Sequence, residues 1–379
     1  MYLSILIPTL YSQGAEYVAA CMARGFAEAG HRVDVVVSAL QRDLEAQTTD
    51  RKPFALSENI RLVYLPHRRA RYNILALRQY IKRNRPDIIL NNAAPFTPAL
   101  ALARLLLPRE VPTKIVHVEH LGGIGLDSEG NPVHPTPSLR AKLFHALLRR
   151  YAAILVVSQG TGEALHRMTG YPLSRIFTVY NPALDDVARK KMQSPPNHPW
   201  LVSKSCPTFV AAGAFTIFKN HLNLLRAFAI AHAKRPCRLI LFGSGPLKPE
   251  YERLVQELNL QDCVSLPGYT DNLPAEIKAA DAFIVSSNIE SFSIVLVEAL
   301  AAGTPVISTN APYGPPEILQ NGKYGILVKR NNPDALAAGI LQVLNGHAIP
   351  PTPEAYERFT LANTVKRYEA ALATLFPKP

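Results

Sequence analysis

The sequence has few cysteines and no long apolar run, and each shortage excludes a class of protein. Its four cysteines, Cys21, Cys206, Cys237 and Cys263, show no C-x-x-C spacing, so neither a disulfide framework nor a zinc knuckle is expected. No apolar stretch reaches the roughly 18 residues of a membrane-spanning helix. The N-terminal MYLSILIPTL has neither a basic leader nor a small-residue cleavage site and is interpreted as a strand. A soluble protein of a reducing cytoplasm is the simplest expectation.

Two catalytic signatures are also missing. No G-x-G-x-x-G follows the first predicted strand, and GSGPLK has Lys248 where a third glycine would stand, which argues against a nicotinamide-dependent enzyme. No G-x-S-x-G nucleophile elbow is present. The 379 residues are 48% hydrophobic and 18% charged, which indicates a globular protein with enough apolar material for two cores.

Basic residues are concentrated in the first half of the chain. Residues 1–182 carry 22 Lys+Arg against 13 Asp+Glu, the remainder carries 19 against 16, and the net charge is +12. One basic stretch lies between Glu58 and Asp87, and a second, LRAKLFHALLRRY at 139–151, mixes basic with apolar residues. Such segments are typical either of a solvated helix face or of a surface that binds an anionic membrane, and both interpretations stay open. Nucleic acid is not an expected partner, because no nucleic-acid motif is found.

Strands and helices alternate in two successive halves. Apolar strands such as YLSILIPTL and HRVDVVVS alternate with helices up to residue 182, and the alternation restarts with TFVAAGAF and CRLILFGSG. This order predicts an α/β fold of two Rossmann-like, doubly wound parallel-sheet domains that face each other across a cleft. The predicted parts are an N-terminal domain, a proline-containing interdomain linker, a C-terminal domain and a helical tail that returns to the first domain, at residues 1–182, 183–205, 206–352 and 353–379.

The stretch ESFSIVLVEALAAGTPVIST at 290–309 holds two glutamates in an otherwise uncharged run. Glu290 is predicted in the loop after a strand, a helix begins near Phe292 or Ser293, and Glu298 lies about two turns into it. The free N–H groups of this helix start favour an anion, and a buried carboxylate suits the two donors of a vicinal diol. A sugar nucleotide fits both features. The alternative is that Glu298 forms a structural ion pair and Glu290 caps the helix.

The same stretch resembles the signature of glycosyltransferase family 4, the retaining nucleotide-sugar enzymes of GT-B fold, in which two glutamates are separated by seven residues. GAFTIFKNHLNLLRAFA and the run from FGSGPLK to NIESF are similar to the same family, as are APYGPPEIL (311–319) and VYNPALD (179–185). Thinner matches in the first half are SQGAE (12–16), EHLGG (119–123) and VSQGTGEAL (157–165). The resemblance covers nearly the whole chain and is strongest from 207 to 330.

This resemblance implies a role for each matching position. Glu290 would hold hydroxyls of the donor sugar, and Glu298 would bind the ribose diol. Lys219 would neutralise the diphosphate as it departs, and His120 matches the active-site histidine near the donor sugar. The other donor-binding positions act through backbone groups or through their place in a loop, and they are Gly14, Gly243, Gly245, Tyr269, Phe292, Ser293 and Ile294. Among them, Gly243 and Gly245 would let the chain pass close to the nucleotide, and the loop around Tyr269 would face the base.

Two positions depart from the family pattern. The family usually has an arginine after the glycine of the first C-terminal strand, where it pairs with Lys219 on the diphosphate, but here Gly213 is followed by Ala214. Losing a bidentate phosphate partner lowers the affinity for the donor. Pro316 in GPPEIL stands where relatives often carry a basic residue. Both departures concern donor affinity rather than the fold.

The resemblance implies a metal-independent retaining hexosyltransferase. It would move a sugar from a UDP- or GDP-sugar to a saccharide or lipid-linked acceptor during assembly of a surface polysaccharide or another glycan. No D-x-D motif is present, and no metal or other cofactor is expected. The expected location is cytoplasmic, with peripheral association at the inner face of the cytoplasmic membrane. The alternatives are a non-catalytic nucleotide-sugar-binding subunit, or an epimerase or phosphorylase of the same fold.

Overall fold

The computed structural model describes residues 1–10, 14–38, 56–120, 125–127, 132–133 and 138–376. The chain divides into two compact units. The first comprises Met1–Gly123, Pro135–Pro182 and Leu361–Pro379, and the second comprises Ile124–His134 and Ala183–Thr360. The sequence matches at SQGAE (12–16) and EHLGG (119–123) therefore lie partly outside the described residues.

The first unit is built on a seven-stranded parallel sheet. Its order is β3-β2-β1-β4-β5-β8-β9, and Leu3 of β1 pairs with Val33 of β2 on one side and Ile88 of β4 on the other. Five of the six positions of both β1 and β2 are buried, as expected for a parallel sheet covered on both faces. The strands are β1 (Tyr2–Ile7), β2 (Arg32–Val37), β3 (Ile60–Tyr64), β4 (Ile88–Asn91), β5 (Lys114–Glu119), β8 (Ala153–Val156) and β9 (Ile176–Thr178), with the short antiparallel pair β6 (Gly125–Leu126) and β7 (Pro132–Val133) assigned to the second unit.

The helices of the first unit cover this sheet. They are α1 (Ala15–Glu28), α2 (Ile74–Asn84), α3 (Thr97–Leu105), α4 (Leu139–Leu148), α5 (Gln159–Thr169) and the C-terminal α15 (Leu361–Ala373). Residues of α2, α3, α4 and α5 share one buried core with the strands. Helix α15 packs closely on α1, since a Cβ on Gly25 would come within 2.7 Å of Val365. Among the helices that the structure describes, none combines the length and apolarity needed to cross a bilayer.

The second unit is a six-stranded parallel sheet in the order β12-β11-β10-β13-β14-β15. Its strands are β10 (Thr208–Ala212), β11 (Arg238–Phe242), β12 (Val264–Gly268), β13 (Ala282–Val285), β14 (Val306–Thr309) and β15 (Ile326–Val328). Its helices are α6 (Asp186–Lys191), α7 (Pro199–Val202), α8 (His221–Lys234), α9 (Lys248–Glu257), α10 (Leu273–Ala279), α11 (Ile294–Ala301), α12 (Gly314–Ile318), α13 (Pro333–Leu344) and α14 (Pro353–Tyr356).

The predicted α/β class with two Rossmann-like parallel sheets is confirmed. In both sheets the order of strands reverses beside the first strand of the unit, at β1–β4 and at β10–β13. Ligands of open α/β sheets bind at the carboxyl ends of strands next to such a reversal. The loops that follow β10 and β13 are therefore the first place to search for a site in the second unit.

Candidate functional site

Glu290 lies in the loop between β13 and α11, and its carboxylate forms an ion pair with the Lys219 ammonium. The Ser287 hydroxyl also donates to Glu290 Oε2, at 3.2 Å. The backbone of Glu290 is held by the chain after β14, because its N–H donates to the Pro312 carbonyl and its carbonyl accepts from the Gly314 N–H at 2.8 Å. The side chains of Lys219 and Glu290 are only 26% and 14% exposed. Such a pair is shielded from water, so removing one partner leaves the other as an unpaired charge.

The start of α11 is fixed by close backbone packing. A Cβ on Gly314 would lie 2.7 Å from Phe292 Cα, so the chain passes there only because residue 314 is glycine. The buried Phe292 ring packs edge-on against Phe359, with 5.3 Å between centroids. Ser293 is the N-cap of the helix, and the helix begins at Ile294. The buried Ser293 hydroxyl oxygen has no hydrogen-bond partner among the described residues, which leaves a polar group at a helix end that favours anions.

Glu298 lies in the second turn of α11, partly buried. Within the described part of the chain its carboxylate has neither a hydrogen bond nor an ion pair. Burial, assisted by the nearby Asp185 carboxylate and opposed by Lys191, raises the pKa of this carboxyl group to about 7. Asp185 caps α6 by accepting from the Ala188 N–H at 2.8 Å. A partly buried carboxylate without donors of its own suits a ligand that brings hydroxyl donors.

Gly243 and Gly245 let the loops after β10 and β11 run against each other. Gly243 has φ +142°, and a Cβ there would lie 1.9 Å from the Gly213 carbonyl oxygen. Gly245 has φ +156°, and its Cβ would lie 2.7 Å from the Phe215 carbonyl oxygen. The Phe215 N–H donates to the Ser244 carbonyl at 2.9 Å. Both glycines are thus required by loop packing, a contact between distant segments that the local sequence does not reveal.

Ala214, at the position of the family's usual arginine, is exposed. A Cβ on the neighbouring Gly213 would lie 3.4 Å from both Lys219 Cγ and His221 Nε2. Burial lowers the pKa of His221 to about 3, with Lys219 adding to the shift, so this imidazole is neutral at pH 7. Its Nδ1 lies 3.3 Å from Ser286 Oγ, while Nε2 has no partner among the described residues. His221 was not predicted from the sequence, although its place two residues after Lys219 is a usable signal.

Tyr269, predicted to face the base, follows β12 and is 65% exposed. The loop after it is pinned at two points: the Asn272 N–H donates to Thr270 Oγ1 at 3.1 Å, and Lys191 Nζ donates to the Asp271 carbonyl at 2.6 Å. Lys191 therefore links this loop to the surroundings of Glu298. Because the Tyr269 ring is already exposed, it can stack on a nucleotide base without first leaving a core.

Gly14 and His120 belong to the first unit. Gly14 is the N-cap of α1 with φ +80°, and a Cβ there would meet nothing within 4 Å. His120 follows β5, and its Nε2 lies 3.3 Å from Asn92 Oδ1. Burial lowers the pKa of His120 to about 4, with Glu119 opposing and His117 reinforcing the shift. His120 is consequently a neutral imidazole at pH 7, able to donate or accept a hydrogen bond but not to supply a positive charge.

The second unit thus brings Lys219, Glu290 and Ser287 into contact at the start of α11, with Glu298 one to two turns along the same helix. Three contributors were not predicted from the sequence: Ser287, His221 and Asp185. Within the described ranges no cluster of three or more His, Cys, Asp and Glu residues has the arrangement of a metal site. The chemistry available there is anion binding by a helix start and an ammonium group, combined with hydroxyl binding by two carboxylates.

Known proteins match the chain in both halves. The family described as Glycosyltransferase Family 4 matches residues 12–183, and Glycosyl transferases group 1 matches residues 199–360. The chain is 33% identical over 252 residues to an exopolysaccharide phosphotransferase of Streptomyces coelicolor, covering 64% of this chain and 26% of that protein. It is 34% identical over 192 residues to N-acetylgalactosamine-N,N'-diacetylbacillosaminyl-diphospho-undecaprenol 4-alpha-N-acetylgalactosaminyltransferase of Campylobacter jejuni, covering 50% of each protein. The chain therefore spans a quarter and a half of the lengths of these two relatives.

A solved structure matches the whole fold. HepE of Anabaena in complex with UDP superposes with a TM-score of 0.73 at 17% identity, over 99% of this chain and 100% of that chain. Together with the two parallel sheets, this match defines the class as GT-B fold. The family matches then place the protein within the class: the chain belongs to glycosyltransferase family 4.

Proposed function

We propose that the protein is a retaining glycosyltransferase that transfers a hexose-type sugar from a nucleoside diphosphate sugar to a saccharide or lipid-linked acceptor, without a metal. The observation that carries this proposal is the arrangement at the start of α11. It combines an ammonium group on Lys219, a partnered carboxylate on Glu290 and an unpartnered carboxylate on Glu298. These groups suit, in order, a diphosphate, sugar hydroxyls and a ribose diol.

The proposed donor is a UDP-sugar. HepE, which shares the fold, has been solved with UDP and with UDP-glucose. The ribose hydroxyls would donate to the Glu298 carboxylate, and the exposed ring of Tyr269 lies in the loop proposed to face the base. Backbone groups of Phe292, Ser293 and Ile294 would turn toward the diphosphate, where a helix start favours negative charge. GDP-sugars are the competing donor class.

In the proposed reaction the acceptor hydroxyl attacks the anomeric carbon on the face from which the diphosphate leaves. The bond from the anomeric carbon to the diphosphate oxygen breaks, the new glycosidic bond forms, and the acceptor proton passes to the leaving phosphate oxygen. Lys219 would stabilise the charge that develops on the diphosphate, an interaction strengthened by its shielded position. Glu290 would orient the sugar through its hydroxyls, and neutral His120 would contribute a hydrogen bond near the sugar. No protein nucleophile is required.

The proposed acceptor is a lipid-linked saccharide in the assembly of a surface polysaccharide or another glycan. The Campylobacter relative is named for a diphospho-undecaprenol acceptor, which supports this substrate class. The proposed place of action is the cytoplasm, at the inner face of the cytoplasmic membrane. The non-catalytic alternative predicts nucleotide binding without transfer to any acceptor.

The first experiment compares thermal stabilisation by UDP, GDP and ADP in the parent, in Glu298→Gln and in the matched surface control Glu257→Gln. A nucleotide at a hundred times its dissociation constant should add about 2.7 kcal/mol to the free energy of unfolding. We expect UDP to stabilise the parent and the control but not Glu298→Gln. If none of the nucleotides stabilises the parent, the donor site proposed here is wrong.

A second experiment tests the reaction itself. The protein is incubated with UDP-hexoses, a panel of lipid-linked saccharides and a chelator, and the anomeric configuration of the product is read by NMR. We expect transfer with retention that the chelator does not reduce. An inverted product would contradict the retaining mechanism, and UDP binding without transfer across the panel would favour the non-catalytic subunit.

A further inference from the structure

Three neighbouring helices of the first unit are basic and carry no acid. The sequences of α2, α3 and α4 contain arginine and lysine but neither aspartate nor glutamate. Helix α3 packs against both α2 and α4, and all three contribute to the same core. Their outer sides therefore belong to one continuous part of the surface, which we call the basic helix face.

A pocket of about 380 Å³ opens on this face at the end of α3. Three arginines line it together with apolar side chains, and no acidic residue is among its lining residues. Arg104 donates to the Val111 carbonyl at 3.2 Å. In the part of the chain that the structure describes, the exposed Arg109 and Arg150 make neither an ion pair nor a side-chain hydrogen bond. Their five-donor guanidinium groups are thus available to an anion with several acceptor oxygens.

Leucine side chains are exposed on all three helices of the basic helix face. Leu102, Leu105 and Leu106 are 39%, 52% and 52% exposed, and their spacing of three and four residues places them on the same side of α3. Leu75 of α2 and Leu143 of α4 are 71% and 61% exposed. Exposed leucines interspersed with unpaired arginines suit a surface that is anionic at the level of its phosphates and apolar just beneath them. A nucleic acid offers the phosphates but no apolar layer for the leucines.

We propose that the basic helix face docks on an anionic lipid membrane, with a lipid phosphate held in the Arg104–Arg109–Arg150 pocket and the α3 leucines inserted among the headgroups. This inference deepens the proposed place of action at the membrane, but it rests on the groups of this surface and is tested without the transfer reaction. The phosphate is that of a bilayer lipid, because Leu105 lines the pocket and shares one side of α3 with the exposed Leu102 and Leu106.

The pocket lies away from the proposed active-site histidine. Ile115 in its lining is the second residue of β5, and Tyr151 precedes β8 by two residues, so the pocket lies at the amino ends of these strands. His120 follows the carboxyl end of β5. The six residues of that strand separate the two by on the order of 15 Å. Docking through the basic helix face therefore leaves the His120 end of the sheet uncovered.

The test is co-sedimentation of the full chain with vesicles of phosphatidylcholine alone and of phosphatidylcholine with phosphatidylglycerol. Two double variants are compared: Arg109→Gln with Arg150→Gln, and the matched control Arg226→Gln with Lys278→Gln on exposed positions of α8 and α10 in the second unit. Both variants lower the net charge by two. Circular dichroism and melting temperature establish that each is folded.

We expect the parent to bind only the vesicles that contain phosphatidylglycerol, with binding that weakens as salt rises. The pocket variant should bind about thirtyfold more weakly, the loss expected for two basic side chains at an anionic surface, and the control less than threefold. A third variant, Leu102→Ser with Leu106→Ser, should also lose binding, whereas Leu173→Ser, an exposed leucine elsewhere in the unit, should not.

Three results would overturn the proposal. One is absence of vesicle binding by the folded parent. Another is an equal loss in the pocket and control variants, since net charge alone would then explain the attraction. The third is binding of inorganic phosphate or of duplex DNA that the pocket variant loses while the parent ignores vesicles, which would make the pocket a site for a free phosphate or for nucleic acid.

Discussion

Replacing Glu298 by glutamine should stabilise the protein while abolishing its nucleotide site. Burial raises the pKa of this carboxyl from 4.5 to about 7, so the folded state holds the proton more tightly than the unfolded state. Between these two values the folded protein carries a proton that the unfolded chain has lost. Stability conferred by the protonated form is therefore complete below pH 4.5 and decreases as pH rises to 7. The cost at pH 8 is about 3 kcal/mol, at 1.36 kcal/mol for each pKa unit.

Glutamine keeps the shape of the protonated side chain and never ionises. We therefore expect Glu298→Gln to exceed the parent by about 3 kcal/mol in free energy of unfolding at pH 8, and by less than about 1 kcal/mol at pH 5. In thermal unfolding of a unit of this size the gain at pH 8 corresponds to roughly 6–12 °C. The control Glu257→Gln, an exposed residue of α9, should change stability by less than about 0.5 kcal/mol at either pH.

The same ionisation couples nucleotide binding to pH. A carboxylate accepts both ribose hydroxyls, whereas the protonated acid accepts fewer bonds, so UDP affinity should fall about tenfold for each pH unit below 7. The variant should show neither UDP stabilisation nor this dependence. A variant that is less stable than the parent by the same amount at pH 5 and pH 8 would refute the reasoning, because it would mean that Glu298 is ionised and partnered in the folded protein.

Three further predictions concern the surrounding groups. Gly243→Ala should lower the free energy of unfolding in urea by about 4 kcal/mol or more, because its Cβ would collide with the Gly213 carbonyl. The control Gly268→Ala, at φ +90° in open space, should lower it by only about 1–2 kcal/mol. Equal losses in the two variants would contradict the packing argument. Lys219→Met should lower the free energy of unfolding by about 1–2 kcal/mol, less than for a fully buried pair. It should also remove UDP binding, which calorimetry measures. Retained UDP binding would exclude Lys219 as a diphosphate ligand. Asn92→Ala should reduce kcat about fivefold at saturating donor, the value of one hydrogen bond to His120. The pH profile of the parent's kcat should show no step near pH 6.5, because His120 is already neutral there.

The fold could be predicted from the sequence because the central strands of each sheet bury nearly every residue. Five consecutive buried positions in β1 and in β2, apolar except for Ser4 and Asp34, are typical of a parallel sheet covered on both faces. The two glutamates could be singled out because they are the only charged residues of the stretch 290–309, where a carboxylate needs an explanation. The resemblance to family 4 then supplied roles for them, and those roles remain predictions.

Contacts made at long range could not be predicted in the same way. Lys219 and Glu290 are 71 residues apart, and they meet because β10 and β13 are neighbours in the sheet. The effect of Asp185 on Glu298 depends on α6 lying near α11, which no local pattern specifies. A donor-binding role for Gly243 stays a prediction, and the Gly213 carbonyl gives an independent reason for a glycine there. Such contacts follow from strand order rather than from residue type.

The Lys219–Glu290 pair bears on the missing arginine. With alanine at position 214, Lys219 is the cation that the motif supplies to the diphosphate, and it is already neutralised by Glu290. A diphosphate would have to draw the ammonium group away from that carboxylate, and Glu290 would then need hydroxyl donors from the sugar in exchange. Binding of the complete nucleotide sugar satisfies both groups at once, whereas UDP alone leaves the carboxylate short of donors. This protein should therefore favour UDP-sugar over UDP, and Glu290→Gln, which frees Lys219, should reverse that preference in competition calorimetry.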